Sequence, residues 1–332
     1  MDEKLLPTML DTIIATAGDD ASLIQEYCET QRTNRNEKLK QKMLDQNFEG
    51  VRTETILVNL LSIPGYLDPR NNICVWARPT ESIKEIVAEI QHELRVSAPG
   101  IWLMPLPCLH MTVLEVLHSK TPEVMDSVLQ KLQPCISQLA NYTFSHRVRL
   151  VRPKLSFDDL AVALTFVPAA SGPDDSYTYL HLRRDLSRIC HQYGVEVKAR
   201  YATTSCHFTV ARFVSVRDHV SEGVGGVVVP SHEKIKSWVS KLEYLNDRLR
   251  ERYWPENSGG EWYVGQELGL DIRKGRMWYG GGESIENRPS QPASSPLSFH
   301  EQTRAVRALS SLAVPFPRAS SACGRHGPVT TL

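Results

Sequence analysis

Hydrophobic positions along the chain follow two periods, which predict strands and helices in alternation from about residue 70 onward. Apolar runs or alternation predict strands at 72–78, 109–116, 146–152, 160–167 and 206–214. Helical spacing predicts helices at 82–96, 121–139, 177–194 and 232–253. The order strand, helix, strand, helix occurs twice. This weak internal duplication predicts two similar lobes related by a pseudo-twofold axis.

The two ends of the chain have different patterns. Residues 1–65 show helical spacing and a charged stretch without Gly or Pro, so we expect a helical extension that packs as a cap on the rest. Residues 66–286 form the predicted two-lobed domain, with lobes at about 70–145 and 146–286. Within it, 262–282 reads as a hairpin. Residues 287–332 hold six prolines and eight serines without periodicity, which predicts a disordered tail.

Charge and cysteine content exclude several classes of protein. Lys and Arg number 38 and Asp and Glu number 38, so a general duplex-binding protein is disfavoured. A nucleic-acid substrate must therefore be short, or be held by a local basic pocket.

The seven cysteines are scattered and contain no C-x-x-C, which argues against a disulfide framework or zinc ribbon. The acidic start MDEKLLPTML is unlike a signal peptide, and no apolar run approaches the ~20 residues of a membrane helix. We expect an intracellular protein in the cytoplasm, with the nucleus as the alternative, and no membrane partner.

Two His-x-Thr motifs fall on predicted strands at matching places in the repeated pattern. Residues i and i+2 of a strand share a face, so His110 points with Thr112 and His207 with Thr209. Each strand then presents an imidazole and a hydroxyl on one side and apolar groups on the other. The apolar sides would form the cores of the lobes. The His/Thr sides would line a groove between them.

These motifs resemble the two-histidine (2H) phosphoesterase superfamily. The second, HFTVARF at 207–213, is especially typical, and the first, HMTV at 110–113, also fits. The chain is more similar still to a fungal branch labelled RNA ligase/cyclic nucleotide phosphodiesterase. The shared segments are WARP at 76–79, YTYLHLRRDL at 177–186 and WYGGGE at 278–283. The resemblance covers roughly residues 70–283 and implies an α/β (α+β) fold with a bilobal, mainly antiparallel architecture.

The resemblance implies an enzyme that opens 2′,3′-cyclic phosphates of nucleotides or short RNA ends without a cofactor or metal. His110 and His207 would be the catalytic acid and base, because imidazole titrates near neutral pH. Thr112 and Thr209 would bind the phosphate oxygens. An RNA 2′,5′-ligase-like activity stays open, as do the base preference and the roles of the two histidines. No stable protein partner is implied. The alternative is a noncatalytic module that binds nucleotides or RNA ends on the same fold.

Other side chains have more ordinary interpretations. On a regular strand Cys108 would share the face of His110, which leaves a mixed Cys/His metal site as a minor alternative. Arg212 lies five residues after His207 and would face away from it, so we expect a structural role. Arg183 and its neighbours on the 177–194 helix are expected on a solvated face. Tyr177, Tyr179 and Tyr201 are candidates for base stacking.

Overall fold

Antiparallel sheets and surrounding helices make up the described residues, 8–197 and 204–285 of the computed structural model. The strands are β1 Asn72–Ala77, β2 Trp102–Leu103, β3 Met111–Leu117, β4 Arg149–Phe157, β5 Ala161–Pro168, β6 Cys206–Arg212, β7 Val220–Glu222, β8 Val228–Pro230, β9 Trp262–Tyr263, β10 Asp271–Gly275 and β11 Glu283–Ser284. The helices are α1 Met9–Thr16, α2 Ala21–Leu44, α3 Thr55–Ser62, α4 Glu81–Ser97, α5 Pro122–Leu132, α6 Ile136–Ser145, α7 Tyr179–Gln192 and α8 His232–Tyr253.

The strands form two principal sheets and a small hairpin. The first sheet has the order β11-β10-β1-β3, the second has the order β2-β6-β5-β4-β9, and β7 pairs only with β8. Every strand pair in these sheets is antiparallel. The expected α+β class with antiparallel sheets is therefore confirmed. The β7–β8 hairpin was not predicted.

Each principal sheet contains a strand from the part of the chain that was assigned to the other predicted lobe. β2 comes from the first predicted lobe but pairs with β6 of the second sheet. β10 lies near the end of the described chain but pairs with β1 of the first sheet. The predicted hairpin over 262–282 is therefore wrong, because β9 joins β4 and β10 joins β1. A shorter hairpin does form between β10 and β11. The lobe boundaries at 70–145 and 146–286 stay a prediction.

Most predicted elements appear where the periodicity placed them, and the differences have local causes. The long helix expected at 121–139 is divided into α5 and α6 by a 3₁₀ turn at Gln133–Cys135. Pro134 causes the division, because proline has no N–H for an internal helical hydrogen bond. The predicted tail, 287–332, lies outside the described residues.

The N-terminal segment forms three helices, and the longest packs on the second sheet. α2 contacts β4, β5 and α8. Its buried Arg32 donates from Nη1 to the carbonyl oxygens of Arg152, at 2.7 Å, and Thr165, at 3.3 Å. These bonds and the ion pair with Glu29 compensate part of the cost of burying the guanidinium. In the described part of the chain, no helix combines the length and the apolar character needed to cross a membrane.

Two asparagine side chains cover the backbone of β4 at Leu155. The Asn246 side chain, on α8, accepts from the Leu155 N–H at 2.6 Å and donates to its carbonyl oxygen at 3.2 Å. Asn36, on α2, donates to the same carbonyl oxygen at 3.0 Å. β9 pairs with β4 only at Arg149 and Leu150, so these amides take the place of a neighbouring strand farther along β4.

Asn246→Leu should lower the free energy of unfolding by about 1–3 kcal/mol, because it leaves a buried N–H without its acceptor. Urea denaturation followed by tryptophan fluorescence measures the change. Asn141→Leu is the matched control, since the side chain of the exposed Asn141 on α6 bonds to Ser137 one turn earlier on the same helix. Equal effects of the two substitutions would contradict the role given to Asn246.

Candidate functional site

The first motif begins where a tight turn enters an edge strand. A 3₁₀ turn at Leu106–Cys108 leads to His110, and β3 starts at the next residue. Met111 and Val113 are buried whereas Thr112 is exposed, so the predicted alternation is confirmed over residues 111–113, and the burial of Leu114 interrupts it. The His110 ring stacks on Trp76 of β1, with ring centroids 3.6 Å apart and planes 16° from parallel.

The turn also fixes the orientation of the His110 ring. Nδ1 lies 2.8 Å from the carbonyl oxygen of Cys108. A carbonyl oxygen only accepts, so Nδ1 carries the proton of the neutral ring and Nε2 keeps a lone pair. Cys108 itself lies in the turn rather than on a regular strand. Its contribution to the site is therefore a backbone acceptor.

Two guanidinium groups surround the His110–Trp76 stack. Arg78 and Arg273 lie 4.9 Å and 5.0 Å from the centroid of the Trp76 ring, and each pairs with Asp271 at 3.2 Å. Burial lowers the pKa of His110 to about 3, and the two arginines act in the same direction. The free site therefore holds a neutral His110 beside fixed positive charge, a setting that favours an anion.

The second motif lies within β6. Cys206, Phe208 and Val210 are buried, whereas His207 is exposed and Thr209 half-buried, so the alternation holds here too. The residues paired with the motif on β5 are Thr165, opposite His207, and Ala163, opposite Thr209.

In the second motif, as in the first, the residue two positions before the histidine contacts its ring. The hydroxyl of Ser205, two residues earlier, lies 3.0 Å from Nδ1. Desolvation lowers the pKa of His207 to about 4, with Arg35, Arg183 and Arg212 adding to the effect. Exposed surface on the ring means that water screens part of these influences. An unperturbed imidazole is already mostly neutral at pH 7, so the charge state there does not depend on the size of the shift.

Arg212 lies on the same side of the sheet as the second motif, contrary to expectation. The β5–β6 register shifts between Val162 and Ala163, so one extra residue of β6 separates Thr209 from Arg212. Arg212 is consequently paired with Ala161, which points with Ala163. Its guanidinium pairs with Glu54 at 3.4 Å. The prediction that Arg212 faces away assumed a regular strand and is wrong.

Helix α7 contacts the strand of the first motif and carries a charge that acts on the second motif. Tyr179 on α7 donates from its hydroxyl to the carbonyl oxygen of Thr112 at 3.4 Å, and Arg183 donates from Nε to that of Val113 at 2.9 Å. The charge of Arg183 also acts on His207. Arg183 is buried, so its expected place on a solvated face is wrong. Tyr179 is buried and bonded to β3, which removes it as a base-stacking candidate, and Tyr201 lies outside the described residues.

The structure brings the two motif strands close together. β3 is the edge strand of the first sheet, and its Cα atoms come within 8 Å of those of β6. Each histidine has its own group of arginines: Arg78 and Arg273 for His110, and Arg35, Arg183 and Arg212 for His207. A neutral chain thus concentrates positive charge around the two motifs. The position of Arg78, two residues after Trp76, could have indicated from the sequence that Arg78 lies near the first motif. The other arginines reach the motifs through tertiary contacts, which the sequence does not indicate.

A cavity of about 630 Å³ between α4 and α8 lies apart from the motifs. Apolar and charged side chains line it, and several of the charged ones form ion pairs: Glu89 with Arg252, and Glu93 with Arg248 and with Lys241 outside the lining. We place the candidate site at the motifs, because that is where unusual pKa values and fixed charge coincide. Among the described residues, no group of three or more His, Cys, Asp or Glu side chains is arranged to hold a metal ion.

The glycine-rich end of the described chain packs against the turn that holds His110. Gly280 has a φ of +91°, and a Cβ there would overlap the Cβ of Cys108. Glycine is therefore required for both conformation and space. The neighbouring Tyr279 accepts from Arg70 at 3.1 Å and packs edge-on against Trp102, which anchors the loop.

Gly280→Ala should lower the free energy of unfolding by about 2–4 kcal/mol, because backbone strain and overlap add together. It should also reduce any activity of the motifs by displacing the carbonyl that holds His110. Gly259→Ala is the control, since Gly259 has a φ of +83° but no atom within 4 Å of an added Cβ. Chemical denaturation and activity assays compare the two. A loss no larger at Gly280 than at Gly259 would contradict the packing role.

Comparison with known proteins adds no family assignment. The sequence matches no protein-family model, and a search of curated proteins returns no match. The candidate site is therefore defined by its own residues: the two motifs, their backbone anchors and the surrounding arginines.

Proposed function

We propose that the protein is a metal-independent phosphodiesterase that opens 2′,3′-cyclic phosphates of nucleotides or RNA ends. The observation that carries the proposal is the repeated arrangement of the two motifs. In each, a residue two positions earlier contacts Nδ1 of the histidine, and a threonine with solvent-accessible surface follows two positions later. Each ring can then direct Nε2 toward a substrate. This arrangement suits acid–base chemistry at a phosphate.

The reaction needs one neutral and one protonated imidazole. Nε2 of the neutral ring accepts a proton from water as the water oxygen bonds to phosphorus. The protonated ring gives its proton to the departing ribose oxygen as the P–O bond breaks, which leaves a phosphomonoester on the ribose. The Thr112 and Thr209 hydroxyls donate to the non-bridging oxygens. Assignment of His110 and His207 to acid and base depends on the orientation of the substrate.

The charges around the motifs support phosphate binding and explain how a proton could be recruited. Both histidines have lowered pKa values in the free protein, so neither carries a proton at pH 7. A bound phosphate anion would stabilise an imidazolium and raise these pKa values. Binding of substrate would then create the acid. An RNA 5′-hydroxyl in place of the attacking water would give the ligase-like reaction: its oxygen bonds to phosphorus as the ribose P–O bond of the cyclic phosphate breaks, and the protonated ring gives its proton to the departing ribose oxygen.

The same lowered pKa values give the noncatalytic alternative its support. If phosphate binding does not restore a proton to either ring, the site holds a nucleotide or RNA end without cleaving it. Turnover measured at high protein concentration separates the two functions. Saturable binding of a 2′,3′-cyclic nucleotide without product would favour the binding module.

His110→Ala and His207→Ala should each reduce turnover of adenosine 2′,3′-cyclic phosphate by about 10²–10⁴-fold, the range for loss of one general acid or base. The double variant should lose much less than the product of the two effects, because the pair acts as a unit. Thr112→Val and Thr209→Val should be milder. Steady-state kinetics with product separation by chromatography gives these values.

His191→Ala is the matched control, because His191 is exposed near the end of α7, and it should retain full activity. Near-normal turnover in either motif variant would eliminate the mechanism. The assays should be repeated with EDTA, which we expect to leave the rate unchanged. Activity lost on chelation and restored by zinc or manganese would favour a metal-dependent reaction instead.

The pH profile should show the lowered pKa values of the free protein. The singly protonated pair is most abundant between its two pKa values, about 4 for His207 and about 3 for His110. Because kcat/KM reports the free enzyme, it should rise as the pH falls from about 7 to about 5. The kcat profile should lie at higher pH, since bound phosphate raises both pKa values. Initial rates with parallel fluorescence checks of folding provide both profiles. A maximum of kcat/KM at or above pH 7 would contradict this electrostatic account.

A further inference from the structure

The N-terminal helix α2 is attached to the sheet that carries His207. Arg32 donates to the carbonyl oxygen of Thr165, which is the direct cross-strand partner of His207. One turn later, Asn36 donates to Leu155 on β4. These two buried contacts fix the segment between them against the sheet. A helix of the predicted N-terminal extension is thereby held close to the second motif.

Arg35 lies between these anchors and is exposed. Residues i and i+3 are neighbours on a helix surface, so Arg35 lies beside the anchored Arg32. The charge of Arg35 acts on His207, where it contributes more to the lowered pKa than Arg183 or Arg212 does. Together with the contact of Arg32 at Thr165, the strand partner of His207, this influence indicates that Arg35 lies near the second motif, although 172 positions separate Arg35 from His207 in the sequence.

Arg35 differs from the other arginines near the motifs in its contacts. Arg183 donates to the carbonyl oxygen of Val113, and Arg212 pairs with Glu54. Arg78 and Arg273 share Asp271. Within the described residues, Arg35 makes neither an ion pair nor a hydrogen bond. Its planar set of donors is thus available to a ligand, and phosphate matches that geometry.

On the basis of the proposed function, we propose that Arg35 binds a second phosphate of the substrate. The scissile phosphate belongs to the two motifs, whereas Arg35 approaches from a different element, α2. A nucleoside 2′,3′-cyclic phosphate has only the scissile phosphate. An RNA end also has a phosphodiester on the 5′ oxygen of its last nucleoside. The substrate class is then an oligonucleotide end with a 2′,3′-cyclic phosphate rather than the mononucleoside.

The test compares kcat/KM for the dinucleotide ApA 2′,3′-cyclic phosphate and for adenosine 2′,3′-cyclic phosphate, using the full chain. The wild type should prefer the dinucleotide. Arg35→Gln should lower the ratio of the two kcat/KM values by about 10- to 100-fold, the effect of losing a charge-assisted phosphate contact. Changes in the titration of His207 affect both substrates and cancel in this ratio. Arg35→Lys should retain part of the preference.

Lys40→Gln is the control, because Lys40 lies on α2 about 140° around the helix from Arg35 and pairs with Glu243 at the surface. It should leave the ratio unchanged. A third substrate, adenosine 5′-phosphate with a 2′,3′-cyclic phosphate, separates a terminal phosphate from an internucleotide one. Dependence on Arg35 for this substrate but not for the dinucleotide would overturn the assignment to RNA ends.

The remaining outcomes separate this inference from the proposed function. If the wild type cleaves both the dinucleotide and the mononucleoside and Arg35→Gln leaves their ratio unchanged, the role of Arg35 is wrong and the phosphodiesterase proposal stands. If the wild type cleaves none of the three substrates, both proposals fail.

Discussion

The contact of α7 with β3 is the constraint on which the candidate site depends. Arg183 is buried and donates to the carbonyl oxygen of Val113, at the edge of the first sheet. A buried guanidinium without partners would be strongly destabilising, so this bond fixes α7 against that edge. The same side chain acts on His207 of the second sheet. One residue therefore connects the strand of the first motif with the charge environment of the second.

The electrostatics of the site follow from how its arginines are compensated. Asp271 pairs with both Arg78 and Arg273. Its negative charge reduces the repulsion between the two guanidinium groups beside the His110–Trp76 stack. Compensation is partial, so positive potential remains where neutral imidazoles lie. Partial compensation is compatible with the proposed binding and release of a phosphate. Full ion pairing would leave nothing for a phosphate, whereas bare charges would be costly to assemble.

Local periodicity predicted the elements well but not the contacts that build the site. The alternation around Thr112 and Thr209 and the limits of α8 followed from sequence spacing. The side of the sheet on which Arg212 lies did not follow from spacing, because one extra residue in β6 reverses that side. The return of β10 to β1 also left no local signal, since strand pairing between distant segments depends on the whole fold. The candidate histidines came from motif resemblance, and their arginines only from the tertiary structure.

The contacts of α2 with β4 and β5 decide which residues belong to the folded unit that carries the candidate site. Residues 1–65 were expected to be a helical extension that packs as a cap on the domain at 66–286. α2 supplies Arg32 to the backbone of β4 and β5 and Asn36 to the carbonyl oxygen of Leu155. Removal of α2 would leave those acceptors without their donors and expose the sheet beneath, at a cost in stability. A domain defined by sequence motifs alone would omit it. The physical unit is the part of the chain that satisfies the buried polar groups of the sheet, and that part includes α2.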